Sequence, residues 1–156
     1  MANVAYDALK EGLLDGSLDL ISDDVAVLLV QETLASDSIV TSATSLSATL
    51  SFESSGSSGI PLTEIPTSSV NYTSGGYLLQ NKVVSAGTNP FFTADDITIT
   101  SGTFVAGGML IYTSATPISN GVPLIYMDFG VNREVANGNF DIKWLQDGIL
   151  KMYTRT

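Results

Sequence analysis

Carboxylates are the residues of this sequence whose types and spacing could do chemistry. Asp95 and Asp96 are adjacent, between Phe91-Phe92-Thr93-Ala94 and Ile97-Thr98-Ile99. A looser group, Asp15, Asp19, Asp23 and Asp24, stands upstream. Paired acids can supply calcium ligands or the acid and base of glycoside hydrolysis, since both chemistries use Asp and Glu oxygens. Successive side chains of a strand point to opposite faces, and two acids leave a calcium shell incomplete. Asp95-Asp96 therefore reads as a turn leading into a strand. The upstream group lacks the spacing and terminal Glu of an EF-hand loop. It reads as a turn-rich connection, with a weak cation site as the alternative.

Other routes to catalysis need groups that are missing. The chain has neither His nor Cys. Imidazole bases, serine-histidine triads, thiol nucleophiles and the usual zinc sites are excluded with them. Gly-Xaa-Ser-Xaa-Gly does not occur, and Gly75-Gly76 and Gly107-Gly108 lack the Lys-Ser/Thr of a phosphate loop. Those glycine pairs mark bends or bulges in strands. Tyr72, Tyr77, Tyr112, Tyr126, Tyr153 and Trp144 could build a sugar-stacking platform, but several lie among aliphatic neighbours, where core packing is the commoner fate. The expectation is no catalytic, cofactor-binding or metal-ligating residues, no cofactor and no enzyme.

Composition sets the frame for these residues. The 156 residues suit a single domain, 1–156, long enough to bury a core without a metal or disulfide staple. Only 14% are charged, and the net charge is −10, from 16 acids and 6 bases. The bases Lys10, Lys82, Arg133, Lys143, Lys151 and Arg155 are scattered. Phosphate recognition needs them clustered, so neither nucleic acid nor an anionic membrane surface is an expected partner. The start has no basic region followed by an apolar core, and no apolar run approaches membrane-spanning length.

Apolar periodicity supplies the elements. Val4, Ala5, Ala8, Leu9, Gly12 and Leu13 recur at helical steps, predicting a helix within 1–16 with Asn3 as its cap and Gly16 as its stop. Val25 to Val30 is a continuous apolar run, expected of a central strand buried on both faces. In 36–59, 13 of the 24 residues are Ser or Thr, yet 45–52 alternates apolar and polar as a half-buried strand does. A flexible Ser/Gly loop is expected at 53–59. The segments around Pro61 and Pro66 should be extended. Residues 77–85 predict one strand, 96–100 another with Ile97 and Ile99 facing together, and 109–112 and 124–127 are core strands. Asn120-Gly121 marks a turn between the last two, within a connection too long for a tight hairpin. Asp147-Gly148, flanked by 140–145 and 149–153, predicts a closing hairpin. The sum is a mostly β chain, a β-sandwich or small barrel-like domain of seven or eight strands with an N-terminal α-helix.

Several of these landmarks together resemble a family of small tailed-bacteriophage proteins encoded among virion genes. The start from Tyr6 through Gly16, followed by Leu18-Asp19-Leu20 and Val25 to Val30, is similar to the family's opening helix and first strand. Leu62-Thr63-Glu64-Ile65-Pro66 resembles its Leu-Ser-Asp-Ile-Pro segment, and the stretch from Phe92 to Ile99 resembles its Asp-Ala-Asp-Asp-Val-Thr-Phe. Leu110-Ile111-Tyr112, Pro123 through Asp128 and Asn137 through Trp144 continue in the same order. The Ser/Thr-rich stretch 36–59 departs from the family's pattern. The resemblance implies a virion structural protein, with capsid decoration (cement) on the outer face of the head as the favoured role. It implies assembly in the host cytoplasm, the major capsid protein or other virion proteins as partners, and a homo-oligomer. It carries no catalytic residue across. The alternatives are a neck, tail or fibre-attachment component and, from another class, a carbohydrate-binding module.

Overall fold

A computed structural model of the chain describes residues 3–31, 41–43, 45, 50–51, 62–66, 72–115 and 118–153. β1 (Asn3–Ala5) leads into α1 (Asp7–Asp15). Then follow β2 (Val25–Val30), β3 (Leu50–Ser51), β4 (Leu62–Thr63), β5 (Tyr77–Leu78) and β6 (Val83–Ser85). β7 (Phe91–Thr93), β8 (Ile97–Thr113), β9 (Val122–Ile142) and β10 (Leu150–Lys151) complete the order. The fold is mostly β with one N-terminal helix. The described strands number ten rather than seven or eight, because several are only two or three residues long. A five-stranded sheet runs β1-β9-β8-β2-β5, a three-stranded sheet runs β10-β7-β6, and β3 pairs with β4 in parallel. The expected loop at 53–59 and most of the expected strand at 45–52 lie outside the described residues.

β2 is the strand its apolar run predicts, buried at all six positions. Alternation sends its side chains into two cores. Val25, Val27 and Leu29 join Leu9 of α1, Phe92 of β7, Ile99 and Ile111 of β8 and Ile149 in a cluster shared by both sheets. Ala26, Leu28 and Val30 meet Tyr6, Leu62, Leu110, Tyr112 and Tyr126 on the opposite face. Each Val, Leu, Ile or Phe among them contributes roughly 1.5–3 kcal/mol on burial.

The helix is shorter than predicted, and its start differs. Asn3 is not the cap; it lies in β1, which pairs with β9 from Asn3↔Met127 to Ala5↔Ile125. Tyr6 takes the cap position with extended dihedrals, and its N–H donates to the Leu124 carbonyl. Pairing along β9 therefore outweighs a side-chain cap. Gly16 ends the helix as expected. Gly12 serves packing: a Cβ there would stand 2.7 Å from that of Leu18, whose N–H bonds the Gly12 carbonyl.

β8 and β9 form one long, irregular antiparallel ribbon. Its inner part, 108–113 against 122–128, belongs to the five-stranded core beside β2. Its outer part, 97–106 against 133–142, carries Ile97, Ile99, Phe104 and Ile142 into the shared cluster. Between them the ladder slips, with two steps on β8 set against five on β9, at Gly108 and Asp128. The Gly107-Gly108 pair thus marks a bulge, as the sequence suggested. The polar stretch 130–139, almost wholly exposed, lies within β9 although its pattern predicts no strand.

The terminal hairpin is corrected. Gly148 has φ 72 and its N–H bonds the Leu145 carbonyl, so Asp147-Gly148 does turn. The segment after it pairs with β7 instead of with β9, through Leu150↔Phe92 and Lys151↔Phe91. Asp96 accepts the Trp144 N–H at 3.0 Å, and the Phe92 carbonyl takes that of Ile149. The chain is thereby drawn from one sheet to the other. Residues 77–85 are likewise two strands in different sheets, separated by Asn81 at φ 48.

Candidate functional site

Members of both carboxylate sets are engaged in hydrogen bonds within the chain. The Asp95 carboxylate accepts from the Asn81 side-chain amide at 2.6 Å, and its backbone carbonyl accepts the Trp144 indole N–H at 3.0 Å. With Asp96 bound to the Trp144 N–H, the pair joins the start of β8 to the end of β9. This is the turn leading into a strand. Upstream, Asp19 accepts from the N–H groups of Ile21 and Ser22 and from the Ser22 hydroxyl, while Asp23 accepts the Asp19 N–H. Asp15 accepts from Ser17. These bonds hold the Asp15 and Asp19 carboxyls below the usual carboxylate range, the Ser17 and Ser22 contacts being the largest causes. Glu11, Asp15, Asp23 and Asp24 line a cleft of about 600 Å³ beside Thr113 and Ser114. No three acids among the described residues converge on a cation position.

The tyrosines do not assemble into a platform. Tyr72, Tyr112 and Tyr126 are buried, Tyr77 is half-buried, and Tyr153 stands exposed at the far end of the chain. Trp144 is half-buried with its indole N–H occupied.

Sequence reasoning missed the most constrained acid. Glu64 is buried, just after β4, and bridges to Val30. One carboxylate oxygen accepts from the Tyr72 hydroxyl at 3.0 Å and the Gly75 N–H at 2.6 Å. The other accepts from the Ser74 hydroxyl at 3.1 Å. Burial pushes the Glu64 carboxyl up from its ordinary value, against the pull of these three donors. Tyr72 in turn accepts the Leu29 N–H of β2, and burial, reinforced by the Glu64 charge, drives its hydroxyl far above the usual range. Tyr112 donates to the Gly75 carbonyl at 2.7 Å, and burial followed by the Glu64 charge pushes its hydroxyl up to about 12. The cluster clasps 72–76 to β2. The available signal was an acid between Thr63 and Ile65 in a chain poor in charge.

Apolar groups also stand open to a partner. Leu13, Leu20, Val84, Phe91, Leu150 and Met152 surround a depression of about 120 Å³ whose lining carries no charged side chain. Val83 and Val84 are each 51% exposed on β6, and Met152, Tyr153, Leu14 and Ile21 also project into solvent. A second hollow of about 290 Å³ on the outer ribbon brings Arg133 and Lys143 beside Phe129 and Phe140. Exposed apolar groups gathered in one region are the usual mark of a protein contact surface. No protein-family model, curated protein or solved structure matches the chain.

Proposed function

We propose that this chain is a structural protein of a tailed-phage virion, a capsid decoration protein that binds the outer face of the head. The observation that carries this reading is how the side chains are used. Asp19, Glu64, Asp95 and Asp96, among the acids with hydrogen bonds, hold turns and strand junctions. The apolar groups around Val84 and Met152 face outward. Such a surface makes contacts rather than chemistry. The family resemblance supplies the setting, with the major capsid protein as partner and the assembled particle as the location. A decoration protein stabilises its shell by mass action, since it binds the assembled state in preference to free capsomers.

Counting this chain in purified particles by quantitative mass spectrometry tests the proposal. A copy number comparable to that of the capsid protein is expected. A few copies per particle would replace capsid decoration with a neck, tail or fibre-attachment role. Absence from the particle would end the virion reading altogether.

A further inference from the structure

We propose that β6 is a self-pairing edge through which two copies of this chain associate about a twofold axis at Val84. The inference concerns the purified chain and stands apart from the capsid reading. It follows from the hydrogen-bond pattern of the three-stranded sheet. The Pro90 and Phe92 carbonyls of the β7 segment accept the N–H groups of Met152 and Ile149 on the β10 side. A strand residue directs its N–H and C=O to the same edge, and successive residues alternate. Phe91 and Thr93 therefore direct theirs toward β6, where they oppose Ser85 and Val83. Val84, which opposes Phe92, is left with both backbone groups on the outer edge. Among the described residues no strand pairs with that edge.

Val84 is then the centre of a self-complementary site. Two β6 strands set antiparallel with Val84 facing Val84 form a hydrogen-bonded pair that exchanges both N–H···O=C bonds. The same twofold places the two apolar depressions side by side, because Val84 lines each. Charge favours this region for a like partner. Copies carrying −10 repel over most of their surface, whereas the depression has no charged side chain. Natural edges are commonly protected by an outward lysine or a proline. Here Lys82 bends back to donate to the Asp23 carbonyl, and β6 itself is Val-Val-Ser. An isologous contact of this kind closes as a dimer.

Sedimentation equilibrium of the full chain tests the proposal, with Val84→Lys and Val84→Pro as variants and Val105→Lys as control. Val84→Lys sets two cations opposite each other at the axis, and Val84→Pro removes the outward N–H alone. Val105 is exposed on β8, away from the edge. The wild type and Val105→Lys are expected at twice the monomer mass, and both Val84 variants at the monomer mass. Hydrogen exchange at the Val84 amide of the wild type gives a second measurement that needs no variant to fold. It should slow as concentration rises, while the Ser85 amide, already paired to β7, should not change. A wild type that stays monomeric with a concentration-independent Val84 amide overturns the proposal, and so does a dimer that both folded Val84 variants preserve.

Discussion

The outer edges of two strands, β2 and β6, present the same problem, and the molecule treats them differently. β2 would expose its N–H and C=O groups beyond the two residues that β5 covers, Ala26 and Val27. Short segments from elsewhere occupy the remainder. The Leu79 N–H bonds the Val25 carbonyl, Ile65 bonds that of Leu29, Gln31 bonds that of Thr63, and the Tyr72 hydroxyl takes the Leu29 N–H. Glu64 then locks the segment that carries Tyr72. At β6 no described segment does this, and two of the strand's three residues are valines. A buried edge must satisfy every backbone group, because an unpaired one costs about 1–3 kcal/mol. An edge at the surface can leave its groups to water or to another chain. The difference separates an edge built for folding from one available for association.

Breaking the sealed edge should have the largest effect. Gly76 has φ 73, and a Cβ there would stand within contact distance of the Val27 carbonyl and 2.8 Å from the Leu28 Cα. Gly76→Ala combines a left-handed backbone penalty with a clash against a strand that cannot retreat. It should cost about 3 kcal/mol or more, read as a lower urea midpoint. Glu64→Ala comes next. It leaves the Tyr72 hydroxyl and Gly75 N–H without their acceptor, at about 2–3 kcal/mol. Tyr72→Phe keeps the ring but deprives the Leu29 N–H and Glu64 of one bond each, at about 1–2 kcal/mol. The open edge should behave otherwise: Val84→Lys should shift the stability of the dilute chain by no more than about 0.5 kcal/mol. A loss there as large as that of Tyr72→Phe would mean that β6 is packed within its own fold, and the contrast between the edges would fall.

Only part of this arrangement was legible in the sequence. β2 was, because a six-residue apolar run has few other places to go. The turn at Asp147-Gly148 was also legible, since the dipeptide reports the local φ that Gly148 adopts. Its partner was not, for a turn does not say which strand receives the returning chain. That choice rests on Phe92 and Asp96, some fifty positions earlier. The 130–139 part of β9 escaped notice because its side chains are nearly all exposed and its ladder is interrupted by bulges, with Gly130 and Asn137 at positive φ. Neither periodicity nor apolar content marks such a strand. Glu64 was hidden for the opposite reason. A lone Glu reads as solvent-facing until the fold supplies Tyr72, Ser74 and Gly75 around it. Asp95 and Asp96 were legible in role, although not in their link to Trp144 and Asn81.

The finest test of the sealed edge is its response to pH. Burial raises the Glu64 carboxyl above its ordinary value of 4.5. The folded protein thus binds this proton more tightly than the unfolded chain does. Stability from this group is greatest at acidic pH and declines as pH rises from the ordinary value through the raised one. The exposed turn acids work in the other direction. Asp15 and Asp19 are held below 3.8, so their contribution is present above that value and is lost as pH falls through their folded values. Glu64→Gln separates the two. Its amide keeps an oxygen for Tyr72 and Gly75 and presents an NH₂ to the Ser74 hydroxyl, which can accept as well as donate. The variant should unfold near the wild-type midpoint at acidic pH and gain on it as pH rises through the Glu64 window. Above that window the advantage should be constant. Urea titrations across pH would measure the difference directly. A gap that stayed constant with pH would mean that Glu64 titrates alike in the folded and unfolded states, its three donors offsetting its burial.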